Sequence, residues 1–469
     1  MSTFSGLTTA ASGLAAARRG MDVVGQNIAN QTTEGYTRQR VTTSSIAALA
    51  QTGRFSTGAA PGHGVSITGV ARLGDALLDA RVRDTLASSG FWSTRAVAAT
   101  TMEAALAEPT TDGLAARLSQ FWSGWQDLAN TPDSGAAASV VLESAAELAS
   151  QISGGYKAVA SQWSDARTAA ERTVSQVNAA ADQIADLNRE IRDALASGRS
   201  ANELIDQRSV LAQNVARLSG AKANIESDGT LTVRIDGNAL VAGDDSRHLA
   251  LSGSTSIDAD PPVTVTWATA PDMTVSVVGG ELGGNLSVLA PAEKGGMLAQ
   301  LAASYNEVAE ALAEKVNEQH IAGVTSAGQQ GGAFFALAAD RPAALGLSVL
   351  VTSGAQLALA APGAGAWDSS NADAMSQIGL STTGPDAIWA SQVSTLSVST
   401  AADIQRARVS ETTAITAAAA QQSVAAVDGD EETISLLTYQ TAYQAAARVM
   451  TAVDEALDVL INRTGVVGR

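Results

Sequence analysis

The 469-residue chain contains no cysteine, which excludes disulfides, thiolate nucleophiles and Cys-ligated zinc. Aromatic residues are scarce, 4% against 45% hydrophobic overall. A core built from Ala, Leu and Val suits close helix–helix packing better than a deep aromatic pocket. Positive charge is also short: 29 Lys and Arg face 47 Asp and Glu, a formal net charge of −18. Nucleic-acid affinity rests largely on Lys and Arg neutralising phosphates, so no nucleic-acid partner is expected. The same balance opposes adsorption to an anionic membrane. No apolar run approaches the ~18–20 residues that cross a bilayer, and no membrane insertion is expected. The first cations are Arg18 and Arg19, so the N-terminus lacks the charged start of a cleaved secretory signal.

Signs of catalysis are missing too. His63, His248 and His320 are the only histidines, they are widely spaced, and none sits in a His-Glu-x-x-His zinc motif. Neither a Gly-x-Ser-x-Gly elbow nor a phosphate-binding P-loop is present. Gly62, Gly64 and Gly69 have the wrong spacing for a dinucleotide loop, and Val65, Ile67 and Val70 alternate like a strand. Asp244 and Asp245 fall in a turn. Asp428, Asp430, Glu431 and Glu432 precede a helix, where carboxylates favour the N-terminal dipole, and read as solvated caps. No enzyme activity, cofactor or metal is expected.

What is present is pattern at the two ends. Leu7, Leu14, Met21 and Ile28 recur every seventh residue, with Phe4 and Ala11 in a companion row that fails at Arg18 and Gly25. They predict one helix of about 28 residues, about 40 Å long. Near the other end, Leu436, Tyr439, Tyr443, Ala446, Met450, Val453, Leu457 and Leu460 alternate at spacings of three and four, two heptad rows between Gly429 and Gly465. One such stripe is an ordinary amphipathic helix. Two at opposite termini predict that the ends pair with each other or with other copies of the chain.

Between them the periodicity changes twice. Helices are expected over 73–107, 113–129 and 156–197, the last with Trp163, Ala170, Val177, Ile184 and Ile191 one heptad apart and Gly198 as its stop. A shorter helix follows through Leu204, Leu211, Val215 and Leu218. Leu231, Val233 and Ile235 then alternate between Asp228-Gly229 and Asp236-Gly237, as hairpin strands with tight turns do. Val263, Val265, Trp267, Val275 and Val277 continue the strand pattern. Helices return over 297–320 and 393–427, around a Gly-, Ala- and Ser-rich stretch, 323–391, with few periodic cues. The expected fold is mainly α with a β insertion: terminal heptad helices packed together, a helical-bundle middle and a small protruding β domain. Its units are 1–50 (N-terminal axial helix and motif), 51–220 (helical), 221–290 (inserted β), 291–430 (helical) and 431–469 (C-terminal axial helix).

The segment after the first helix, Asn27-Ile28-Ala29-Asn30-Gln31-Thr32-Thr33-Glu34-Gly35-Tyr36, resembles the Ala-Asn-x-x-Thr-x-Gly-Tyr signature of flagellar axial proteins, the rod, hook and hook-associated subunits. Physically it is a helix stop: Asn30 and Thr33 offer side-chain hydrogen bonds to freed backbone groups, and Gly35 permits a turn. Within that family, Tyr36-Thr37-Arg38-Gln39-Arg40, then Gly64 to Val70 with Arg72 and Asp75, resemble hook-associated subunits. So do Leu204-Ile205-Asp206-Gln207-Arg208, Asn317 to His320, and Gly332-x-Phe334-Phe335. The stretch 323–391 is plain where some relatives carry an additional outer β domain.

The resemblance implies a structural subunit joining hook to filament, with terminal helices that form the inner tube of the axial structure. Its implied partners are copies of itself in a ring, the hook protein, a second hook-associated (junction) protein, the flagellar type III export apparatus and an export chaperone on the C-terminal helix. The implied location is the extracellular flagellum, after a cytoplasmic stage before export. Other readings are another axial subunit (hook or distal rod) or a secreted coiled-coil adhesin. An enzyme would require His248 to gather with Asp244 or Asp245 in a pocket.

Overall fold

The computed structural model describes residues 3–47, 62–365 and 367–463. The expected boundary near residue 50 and the stop at Gly465 lie outside these residues, as does the side chain of Phe4. The chain opens with α1 (Thr3–Ala29), followed by β1 (Gln39–Ser45) and β2 (Val65–Arg72). These strands pair antiparallel with Gln39 opposite Arg72 and a bulge between Thr42 and Thr43. Then come α2 (Ala76–Leu106), α3 (Leu114–Asn130), α4 (Gly135–Ala196) and α5 (Asn202–Ser219).

At 62 residues α4 spans about 93 Å, and it begins 21 residues before the expected start at Tyr156. Gly154-Gly155 looks like a break in the sequence, but Gly155 marks a contact. A Cβ there would stand 2.3 Å from the Tyr305 ring, so the missing side chain admits that ring against the helix. The heptad residues Trp163, Ala170, Val177, Ile184 and Ile191 are all buried, and Gly198 stands just past the end at φ 71°.

The β insertion forms two antiparallel sheets. One orders β3 (Lys222–Ile225), β4 (Leu231–Ile235), β5 (Asn238–Ala242) and β6 (Asp245–Ser246); the other orders β7 (Leu249–Ser252), β8 (Thr264–Trp267) and β9 (Ala270–Val275). Two asparagines of α4 fasten them by imitating a strand edge. Asn188 donates to Leu231 O at 2.9 Å and accepts from Leu231 N at 2.8 Å. Asn178 does the same with Leu249, at 2.9 and 2.8 Å. The inner faces (Val233, Leu240, Val265, Trp267) join one buried cluster with Val177 and Ile184, so the insertion shares the helical core. It ends earlier than expected: residues 280–289, placed in the β unit from sequence, are α6 (Gly280–Leu289), whose Gly283 and Gly284 sit against Phe91 and Thr94.

Next is α7 (Met297–Ala322), then short pieces: β10 (Val324–Thr325), β11 (Phe335–Leu337), α8 (Ala343–Gly346), β12 (Leu347–Val349), β13 (Ala358–Ala360) and α9 (Ser370–Ser376). β10 pairs with β13 and β11 with β12. This region had little period to read because its order comes from α7. Asn317 accepts from Phe334 N at 2.7 Å and from Phe335 N at 2.8 Å. Both phenylalanines are buried against Phe121. Finally α10 (Pro385–Ala425) starts earlier than residue 393, with Pro385 in its first turn, and α11 (Gly429–Asp458) runs on into a π-helical turn, Val459–Arg463. Gly429, read as a residue before that helix, is its first residue; Asp428 is the N-cap, accepting from Asp430 N at 2.9 Å.

His320, on the last turn of α7, is fully buried. Its Nδ1 faces Gly332 O at 2.7 Å and its Nε2 accepts from Ala358 N at 3.1 Å, an arrangement that fits the neutral ring. Burial lowers its pKa, opposed by the Gly332 bond. The unfolded chain therefore takes up a proton at His320 sooner than the folded one does, and stability is lost as pH falls below the ordinary value of 6.5. Urea unfolding between pH 7.5 and 5.5 should show this loss. His320→Gln should flatten it while the exposed His63 and His248 remain.

Candidate assembly interface

α1 and α11 pack chiefly on each other, antiparallel. The line of closest approach on α1 is Gly6, Gly13, Gly20 and Asn27. A Cβ on Gly6 would stand 3.6 Å from Val453, one on Gly13 3.9 Å from Ala446, and one on Gly20 2.4 Å from the Tyr439 ring. Asn27 Nδ2 reaches Glu432 Oε2 at 3.0 Å. Each step is seven residues, down one helix and up the other, as a heptad seam requires. Ala10, Ala17 and Val24 lie buried along the same face.

Leu436, Tyr439, Tyr443, Ala446, Met450, Val453 and Leu457 are half-buried on the face of α11 turned to α1, whereas Leu460 is 57% exposed. Leu7, Leu14 and Met21 are half-buried beside the glycine row, and Ile28 is 39% exposed. The expected row on α1 thus sits one position off the true seam. It followed the large side chains, while the helices approach where side chains are missing. Glycines at 6, 13 and 20 were the available signal.

The signature motif closes the end of this hairpin. Asn27 is buried and uses both ends of its amide: Nδ2 donates to Glu432 and to Gln39 O (2.9 Å), while Oδ1 accepts from Tyr36 Oη (2.9 Å) and Gln39 N (3.0 Å). Ala29 ends α1, with its side chain exposed. Asn30 Nδ2 returns to Gln26 O at 3.0 Å, and Thr33 Oγ1 donates to Asn30 Oδ1 at 3.2 Å. Gly35 sits at φ 76°, where a Cβ would also meet Val210 Cγ2 at 2.2 Å, so this turn needs glycine. Burial, then Glu203, Asp206 and Glu432, raise the Tyr36 hydroxyl to about 12, keeping it a donor.

Sequence blocks far apart in the chain meet here. Arg38 donates to Glu432 and to Glu431, each at 2.6 Å, and its backbone N–H bonds Ala425 O at 2.8 Å. Asp206 accepts from Thr37 N at 3.0 Å and from Arg72. Gln39 is held by Asn202 (3.0 Å) and Glu203 (3.2 Å). The acidic run before α11 therefore divides. Asp428 caps the helix, but Glu432 is 2% exposed, which corrects its reading as a solvated cap: a cation and an amide cover it.

The expected turn carboxylate Asp244 lies beside Arg192 at 3.0 Å, and His248 beside Asp182 at 2.9 Å, so no site gathers His248 with Asp244. Among the described residues no His, Asp or Glu cluster could hold a metal ion, and no helix is long and apolar enough to cross a membrane.

A family model described as the flagellar hook-associated protein FlgK helical domain matches residues 99–335, half of the chain. The chain belongs to the FlgK family. Models of the flagella basal body rod protein and of the flagellar basal body rod FlgEFG protein C-terminal match residues 7–37 and 421–463, the two arms of the α1–α11 hairpin. The flagellar hook-associated protein 1 of Bacillus subtilis is 29% identical over the full length of both chains. That of Salmonella typhimurium is 29% identical over 70% of this chain and 58% of its own. A solved structure, the flagellar hook junction protein FlgK from Burkholderia pseudomallei, shares the fold with a TM-score of 0.62 at 17% identity, over 73% of this chain and 99% of the other. Like the rest of this FlgK family, the chain is a structural subunit of the bacterial flagellum and not an enzyme.

Asn27→Ala strips partners from Glu432, Tyr36 and the backbone of Gln39 together. With about 1–3 kcal/mol for each buried polar group left unsatisfied, the hairpin should open while the body stays folded. Amide exchange should then speed up in α1 and α11 and stay slow in α4. Uniform loss of protection would mean that the hub holds the whole molecule.

Proposed function

We propose that the protein joins the flagellar hook to the filament, assembling as a ring through its terminal hairpin. One observation carries the reading: the two segments that match rod-protein families are the two arms of a hairpin that stands apart from the main core. No described residue of α1 or α11 belongs to that core. On its outer side α11 shows Ile434 at 65% and Leu437 at 58% exposure, apolar surface that neighbouring subunits would bury. The ring's neighbours are the hook protein on one side and a second hook-associated protein on the other.

Export follows from the same features. A chain without cysteine carries no crosslink when threaded unfolded through the type III channel. Before assembly α11 has α1 as its main support, and an isolated amphipathic helix is marginal in water; an export chaperone fits its apolar stripe. The protein then passes from the cytoplasm to the external flagellum.

Cells lacking the gene should make hooks without filaments and release flagellin into the medium, seen by electron microscopy and by assaying the medium. Absent hooks would move the protein to the rod or hook, and normal filaments would remove it from the axis. Substituting Met450 and Leu457 together by Asp should block incorporation yet leave the thermal unfolding of the body unchanged.

A further inference from the structure

Four helical asparagines of this chain do the same job. Asn27 grips Gln39, Asn188 grips Leu231, Asn178 grips Leu249 and Asn317 grips Phe335. In each case the amide nitrogen donates to the residue's C=O and the amide oxygen accepts from its N–H, all at 2.8 to 3.0 Å. Each gripped residue is the first of a strand: β1, β4, β7 and β11. A carboxamide carries a donor and an acceptor side by side, which matches the edge of an extended residue.

Asn285 has the same setting without the strand. It lies on α6, is 8% exposed, and its amide has no hydrogen-bond partner among the described residues. A buried polar group in that state destabilises the free chain. It lines a groove of about 520 Å³ between α2 and α4, a volume in the range of ligand sites. α6 forms the floor, brought against Thr94 of α2 by Gly284, and Val288 and Leu298 add apolar surface. On the α4 wall Asp165 and Arg172 are both exposed, and neither forms an ion pair among the described residues.

We infer that this groove binds an extended segment of another protein, with Asn285 gripping the backbone of one residue as the other four asparagines grip theirs. An acidic side chain of the segment meets Arg172 and a basic one meets Asp165. Those two residues stand two turns apart on α4, about 10 Å, which an extended chain covers in about three residues. Among the described residues no strand of this chain contains both an acid and a base, so the segment belongs to a different protein. No residue lining the groove belongs to α1 or α11, and the site stands apart from assembly through the terminal hairpin.

The probe is a phage-displayed library of random linear peptides, selected on the full chain. Binders should carry an acid and a base about three residues apart. The best of them, synthesised and dye-labelled, should bind Asn285→Leu about tenfold more weakly than wild type. A chain with Asp165→Arg and Arg172→Asp together should lose this peptide to a similar extent and bind a version with its acid and base exchanged. Calorimetry separates binding from folding: Asn188→Leu should lower the melting temperature, whereas Asn285→Leu should not, because no internal bond is lost. Equal binding to Asn285→Leu, an empty selection, or a melting temperature lowered as far as by Asn188→Leu would overturn the site. Self-association of the wild-type chain that Asn285→Leu abolishes, seen by analytical ultracentrifugation, would overturn the different-protein occupant in favour of a second copy.

Discussion

Glu432 is a carboxylate removed from water at the point where the two ends of the chain meet, and a buried charge left alone is among the costlier defects a fold can carry. Its two oxygens are taken by Arg38 and Asn27, from either side of the stop that ends α1. Satisfying the carboxylate fixes the seam, because only one register of α11 brings Glu432 to Asn27. The same demand fixes the route of the chain after α1. Asn27 has one oxygen left, and it holds Tyr36 and the start of β1 in place.

From that hub the constraint spreads to the body through polar contacts rather than through a shared apolar core. Arg38 reaches α10 by its backbone N–H, Thr37 reaches Asp206 on α5, and Arg72 closes on the same carboxylate from β2. Apolar burial is non-directional and tolerates sliding; hydrogen bonds to a charge do not. A hairpin about 40 Å long is thereby attached to the body by directional polar bonds while its apolar seam stays apart from the main core. That combination suits the proposed assembly through the terminal hairpin.

How much of this could be read beforehand follows the same division. Segments governed by period were legible: α2, α3 and α7 lie close to their expected bounds, α5 runs through Leu204, Leu211, Val215 and Leu218 as expected, and the heptad of α4 is buried residue by residue. Features set by a partner in space were not. Gly155 looks like a break until Tyr305 is seen against it, and 323–391 looks shapeless until Asn317 and His320 supply its hydrogen bonds. At the interface the C-terminal stripe was visible because it is made of large side chains. The row on α1 was misplaced by one residue because its essential members are absences. Glu432 was misread for a related reason: nothing local distinguishes it from Glu431, which stays exposed, and only the cation and amide brought from the other terminus do so.

The glycine seam has an energetic consequence for the order of events. α1 contains four glycines, at 6, 13, 20 and 25, and each costs a helix about 0.8–1 kcal/mol relative to Ala, roughly 3–4 kcal/mol in total. Taken alone, then, α1 is a poor helix, and a chain of its composition gains little from forming it early. What offsets the cost is the close approach of α11, available only once the hub has set the register. The main core includes no described residue of either terminal helix, whereas the turn after α1 is bonded to the body at Thr37, on the same Asp206 that Arg72 holds. Weak intrinsic helicity in α1 and a strong, buried polar lock at its end therefore work together. They leave α1 weak as an isolated helix and specific in where it settles.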